Sequence, residues 1–125
     1  MKYILIQLLF LAPAISSAST DKACILEGKF ELMRQKFDIK DCAQNEGIET
    51  KTFKEMCKSF SEAAAALGAP PAKITYAAKC PEKPQASCAG YTGQKMTFFY
   101  YKRDAGSIKD AETSCKAMGG KWKKL

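Results

Sequence analysis

KMTFFYYK, residues 95–102, is the stretch on which the fold turns. Successive side chains of an extended chain point to opposite sides, so Met96, Phe98 and Tyr100 share one face and Thr97, Phe99 and Tyr101 the other. Aromatic side chains favour strands, and here both faces are apolar. That pattern predicts a central strand packed on both sides, with Tyr100 and Tyr101 keeping hydroxyls that suit partial exposure. Upstream, KITYAAKC (Lys73 to Cys80) reads as a second strand. The connection PEKPQASCAGYTGQ, residues 81–94, is laden with proline and turn residues and reads as a loop.

Two segments carry helical spacing. In TFKEMCKSFSEAAAALGAPP, Thr52 to Pro71, the residues Phe53, Met56, Cys57, Phe60, Ala63, Ala64 and Leu67 recur every three or four positions. Thr52 with Glu55 has the form of a capping box, Gly68 suits a left-handed C-cap, and Pro70 and Pro71 prevent continuation. The second helix is expected from Ser107 as N-cap, with Asp110 three residues on and Ile108, Ala111, Cys115 and Met118 on its buried stripe. It runs into ETSCKAMGGKW, residues 112–122, where Gly119 is expected to end the helix at positive φ. Gly120 would then turn the chain back so that Trp122 lies against the helix it has left. The amino-terminal CILEGKFELMRQKFDIKDC is ambiguous. Leu26, Phe30, Met33 and Phe37 have helical spacing, whereas Phe37 and Ile39 alternate with polar residues, and the part before Cys42 is assigned to strand.

The chain opens with Met1 and Lys2, an apolar run from Tyr3 to Ile15, and the small residues Ser16, Ser17 and Ala18. This is the pattern of a secretory signal peptide over residues 1–18, leaving residues 19–125 as one disulfide-bonded domain. The run is shorter than the roughly 20 residues that span a bilayer, so an integral membrane protein is not expected. All six cysteines, Cys24, Cys42, Cys57, Cys80, Cys88 and Cys115, follow the expected cut, which predicts three disulfides and a secreted or periplasmic protein. If each helix is tied to the segment before it, the pairs are Cys42 with Cys57, Cys88 with Cys115, and Cys24 with Cys80. The intervals Cys24 to Cys57 and Cys80 to Cys115 also hint at a duplication, although Cys42 and Cys88 do not match in spacing and chance explains the order as readily. The expected class is α+β: a small disulfide-stapled domain with two amphipathic helices packed on a small antiparallel sheet.

The chain has no histidine, so Ser-His-Asp, Cys-His and histidine-metal chemistry are excluded, and oxidised cysteines supply no thiol nucleophile. No cofactor or metal is expected. The net charge of +7 is uneven. Ser19 to Pro71 holds eight Lys or Arg against nine Asp or Glu, and Ala72 to Leu125 holds eleven against four. Within the basic half, Tyr101, Lys102, Arg103, Lys121, Trp122, Lys123 and Lys124 form the candidate binding set, a basic and aromatic surface for an acidic protein, an anionic polysaccharide or lipid headgroups. Two arginines in the whole chain are too few for the guanidinium readout of nucleic acid. The expectation is a non-catalytic binding protein, an enzyme inhibitor included. Its rivals are a small carboxylate-dependent hydrolase, for which Asp38 with Asp41 or Asp110 with Glu112 would be candidates, and a membrane-active cationic toxin.

Overall fold

The computed structural model describes residues 21–63, 65 and 68–125. The stretch read as a signal peptide, and the helix positions Ala64 and Leu67, lie outside them. The elements in order are β1 (Ala23–Leu32), β2 (Gln35–Asn45), α1 (Thr50–Glu62), β3 (Lys73–Ala77), β4 (Ala86–Ala89), β5 (Met96–Tyr100), α2 (Ala105–Ala117) and β6 (Lys121–Lys124). The six strands form one antiparallel sheet in the order β3-β1-β2-β5-β4-β6. The aromatic strand β5 is interior, and Met96, Phe98 and Tyr100 are buried, as its two apolar faces predict.

Strand alternation sorts the sheet into two unlike faces. The register aligns Tyr76, Cys24, Ala43, Phe98, Cys88 and Trp122 in one row on one face. Helix residues Phe53, Cys57 and Cys115 join this row in the core cluster, so this is the helix side. The neighbouring row on the opposite face reads Thr75, Ile25, Cys42, Phe99, Ser87 and Lys123. The chain between β3 and β4 crosses that second face. Cys80 is bonded to Cys42, the Cys80 N–H donates to Gln44 Oε1 at 2.9 Å, and the Tyr101 hydroxyl donates to the Pro81 carbonyl at 2.5 Å.

These faces decide the disulfides, which are Cys24–Cys57, Cys42–Cys80 and Cys88–Cys115. The expected Cys88–Cys115 bridge is present and the other two expected pairs are exchanged. Cys24 lies opposite Ala43 and Cys42 opposite Ile25, so the two cysteines point to opposite faces. Only Cys24 can reach the helix side; Cys42 can reach only the crossing segment. Closing loops with sequence separations of 33, 38 and 27, each bridge contributes about 3.5–4 kcal/mol in the chain-entropy account.

Element order and sheet order together reveal two copies of one unit. β1-β2-α1-β3 is followed by β4-β5-α2-β6, and β3-β1-β2 in the sheet is followed by the same three roles in reverse, β5-β4-β6. Cys24 lies between Ala43 and Tyr76, and Cys88 between Phe98 and Trp122. Ala43 and Phe98 are themselves partners across the β2–β5 seam, so an approximate two-fold axis passes through that pair. In each unit the first strand is bonded to the helix, Cys24 to Cys57 and Cys88 to Cys115. The repeat in the fold is therefore not the one hinted at by the cysteine order: Cys24 is equivalent to Cys88, not to Cys80.

Several local expectations are corrected. The segment read as one uncertain strand before Cys42 is a hairpin whose two-residue turn, Met33-Arg34, has φ of 51° and 64°. The loop expected over residues 81–94 contains β4 and a short 3-10 turn at Tyr91–Gly93. α1 begins at Thr50 with Glu49 as N-cap and no side-chain capping bond, because Asn45 Oδ1 already gathers the Gly47 and Ile48 N–H groups and starts the turn early. Thr52 and Glu55 therefore make no capping box. In α2 the N-cap is Asp104, whose Oδ1 accepts from the Ser107 N–H at 2.7 Å, so Ser107 is inside the helix and not its cap. Met118 is 52% exposed and off the buried stripe.

Gly119 has the left-handed φ expected of it, 80°. Gly120 does something else as well: a Cβ there would lie 2.5 Å from Cys88 Sγ and 2.8 Å from Cys115 Sγ, so only a glycine lets the chain pass over the disulfide. Beyond it Trp122 is placed by strand pairing with Cys88, not by a loose return onto the helix.

Candidate functional site

The basic and aromatic residues singled out above do not form one patch. KWKK is a strand, so alternation sends Trp122 and Lys124 to the helix side and Lys121 and Lys123 to the opposite face. Trp122 is half-buried against the core, its ring centroid 5.6 Å from that of Tyr100. Tyr101 faces the crossing segment and carries Lys40 Nζ 5.7 Å over its ring. Lys102 is exposed, 3.8 Å from Asp38. Lys121, Lys123 and Lys124 are exposed.

Arg103 is committed to the interior. Its Nε donates to Asp41 Oδ1 at 3.1 Å and its Nη2 to Asp41 Oδ2 at 2.6 Å, while Nη1 donates to the Ser107 hydroxyl at 2.8 Å. The side chains are 23% and 8% exposed, and the guanidinium carbon stands 5.3 Å over the Tyr100 ring. Burial pulls the Arg103 pKa down, but the Asp41 hydrogen bond and charge outweigh it and hold the guanidinium above its ordinary value. Burial first, and the Asp41 charge second, push the Tyr100 phenol up to about 12. The ion pair ties β2 to the start of α2 across the seam between the two units.

Above this pair lies a cleft of about 650 Å³ between β2 and α2, lined among others by Gln35, Phe37, Tyr100, Ser107, Asp110 and Ser114. A smaller hollow of about 180 Å³ continues toward Phe60 and Ile39 and shares Tyr91, Tyr100 and Arg103 with it. The floor is aromatic: Phe98 meets Phe60 edge-on at 4.9 Å and Tyr91 at 5.3 Å. Of the carboxylates at the larger cleft, Asp104 caps α2, and Asp110 lies two turns along the same helix. Asp41, beside them, is neutralised by Arg103. No acid lines the β2 wall of the cleft, so the facing pair that glycosidase-type chemistry requires is not assembled there. Among the described residues no group of three or more His, Cys, Asp or Glu could hold a metal ion.

Tyr91 was not among the residues singled out from the sequence, and Asp41 was named only as a carboxylate beside Asp38, not as a partner for Arg103. A signal for Asp41 existed: Phe37, Ile39, Asp41 and Ala43 alternate onto one face, and an acid on an apolar stripe asks for a buried cation. Its partner, 62 residues on, had no local signature. Comparison with family models, with curated proteins and with solved structures finds no match to this chain.

Proposed function

We propose that the chain is a secreted or periplasmic, non-catalytic binding protein that holds an acidic partner on the helix-free side of its sheet, with inhibition of a partner enzyme as one form of that role. The observation that carries this reading is the composition of that side. The strands present Lys29, Lys36, Lys40, Lys73, Lys121 and Lys123 there against Glu27, Glu31 and Asp38, while Leu26, Met96, Phe98, Tyr100 and Trp122 lie on the helix side. The crossing segment adds Lys79 and Lys83 against Glu82. Three disulfides fit an oxidising compartment, and among the described residues no helix is long and apolar enough to cross a membrane. The absence of histidine and of free thiols supports a role without catalysis.

The test is capture of a partner from the native extracellular or periplasmic fraction by the mature chain, followed by kinetics on the purified pair. Lys121→Glu with Lys123→Glu is expected to slow association about tenfold at low salt and to flatten its salt dependence, leaving dissociation nearly unchanged. Association unaffected by either charge reversal or salt overturns the assignment of this face.

A further inference from the structure

The β1–β2 hairpin outruns the sheet it belongs to. β3 pairs with β1 only as far as Glu27, and β5 pairs with β2 only from Asp41. From Gly28 to Ile39, among the described residues, neither strand has a further strand partner, so five pairs extend as a ribbon of about 17 Å at the usual strand rise. Two things make it more than a frayed end. Phe30 and Phe37 stack across it at 5.1 Å, and the Asp38–Lys102 pair steadies its base. The tip is then built against local preference. Met33 and Arg34 both take positive φ, the conformation of a two-residue primed turn that Asn-Gly or Asp-Gly adopts without penalty. Met33 is 96% exposed, the most exposed of the large apolar side chains described. Among the described residues, nothing inside the fold offsets a strained turn that holds an apolar side chain in water.

We propose that this ribbon is the part of the molecule that enters a cleft on the partner protein, with Met33 seated in an apolar pocket and Lys29, Arg34 and Lys36 against an acidic rim. The inference rests on the binding reading above and names the surface that sets its affinity. Met is the side chain that adapts best to an irregular pocket, and the turn presents it at the apex, where it is 96% exposed. Among the described residues the outer edges of both strands have no strand partner beyond Glu27 and before Lys40, so a partner's backbone can add hydrogen bonds along them. The charges match those of the helix-free face, so one acidic partner meets both. A bilayer is a poorer fit, since Glu31 and Asp38 stand among the lysines and one apolar tip is little to insert.

The experiment compares three proteins against the captured partner: the mature chain, the turn variant Met33→Asn with Arg34→Gly, and the face variant Lys121→Glu with Lys123→Glu. Asn-Gly suits the turn, so the turn variant is expected to unfold at the same temperature as the parent or higher, which removes misfolding as an explanation. Its affinity is expected to fall at least tenfold, mostly through faster dissociation. An affinity unchanged in the turn variant but lowered in the face variant overturns the ribbon proposal and leaves the binding reading standing. Failure of the mature chain to retain any acidic protein overturns both. Flotation with vesicles of phosphatidylglycerol and phosphatidylcholine is run alongside, and binding there that depends on Met33 overturns the protein cleft in favour of a membrane.

Discussion

Alanine at position 120 is the sharpest probe of how the second unit is closed. Its Cβ would lie 2.5 Å and 2.8 Å from the two sulfurs of the Cys88–Cys115 bridge and 3.1 Å from the Cys115 carbonyl oxygen, closer than atoms of those kinds pack. The sulfurs are anchored in β4 and α2 and cannot withdraw independently. The Gly120 N–H is held by the Cys115 carbonyl at 2.8 Å, so the backbone cannot lift away without losing that bond. Overpacking of this kind costs about 2–3 kcal/mol. For a domain of about 100 residues that corresponds to a fall of about 10–20 °C in Tm, readable by thermal or denaturant unfolding without reductant. The control is Gly119→Ala, where φ is 80° and nothing lies within 4 Å, so that only the left-handed backbone is penalised, at about 1–2 kcal/mol. The reasoning makes a second demand. With Cys88 and Cys115 both replaced by alanine the fold should lose about 3.5 kcal/mol, and in that background Gly120→Ala should cost less than about 0.5 kcal/mol, because the obstructing sulfurs are gone. An equal cost with and without the sulfurs would refute the steric account.

Three further outcomes are expected. Asp41→Ala or Arg103→Ala should each destabilise the fold by about 2–4 kcal/mol, and the double variant should recover much of that, giving a coupling of at least about 1.5 kcal/mol; additive losses in a double-mutant cycle would show the pair is not coupled. Tyr100 is raised to about 12 from an ordinary 10, so the neutral phenol stabilises the fold fully below pH 10 and that contribution is lost as pH rises toward 12; on the order of 1 kcal/mol should be gone by pH 11, and Tyr100→Phe should be spared that fraction of the alkaline loss in denaturant titrations. Trp122→Ala should cost about 2–3 kcal/mol of stability, because the ring is half-buried against Tyr100 and the core, while binding by the folded variant stays within about threefold of the parent; a large loss of affinity in a stably folded variant would return Trp122 to the binding surface.

The elements legible in the sequence were those whose signal is local and redundant. β5 announced itself by alternation with apolar side chains on both faces, and α2's end by Gly119. α1 was legible from its stripe of Phe53, Cys57 and Phe60, although it starts at Thr50, not at the Thr52 capping box, in a turn entered from Asn45, whose Oδ1 accepts from the Gly47 and Ile48 N–H groups. What was lost depended on partners far along the chain. β4 and β6 are four residues each and gain their identity only by pairing, so ASCA read as loop and KWKK as part of a basic and aromatic patch. The turn at Met33-Arg34 lacks turn chemistry altogether, which left the hairpin looking like one doubtful strand. Misreading KWKK as a single patch followed from missing β6, since once it is a strand the faces of Trp122 and the lysines are settled by parity. The pairing of Cys24 and Cys42 turned on the same parity, one residue of register deciding which face each sulfur occupies.

The Cys42–Cys80 bridge has no counterpart in the second unit; it joins β2 to the link between the units. It fastens the segment that leaves β3 at one edge of the sheet and must pass behind β1, β2 and β5 before it becomes β4. Two similar units joined by a long link can pair within one chain or between two chains, and the contacts at the β2–β5 seam are nearly the same in either case. Only the path of the link distinguishes the two arrangements. Once Cys80 is bonded to Cys42, the second unit is tethered beside the first of its own chain, and exchange of halves with a neighbouring molecule requires that bond to be broken. As long as that bond stays oxidised, it keeps the two halves of one chain paired with each other.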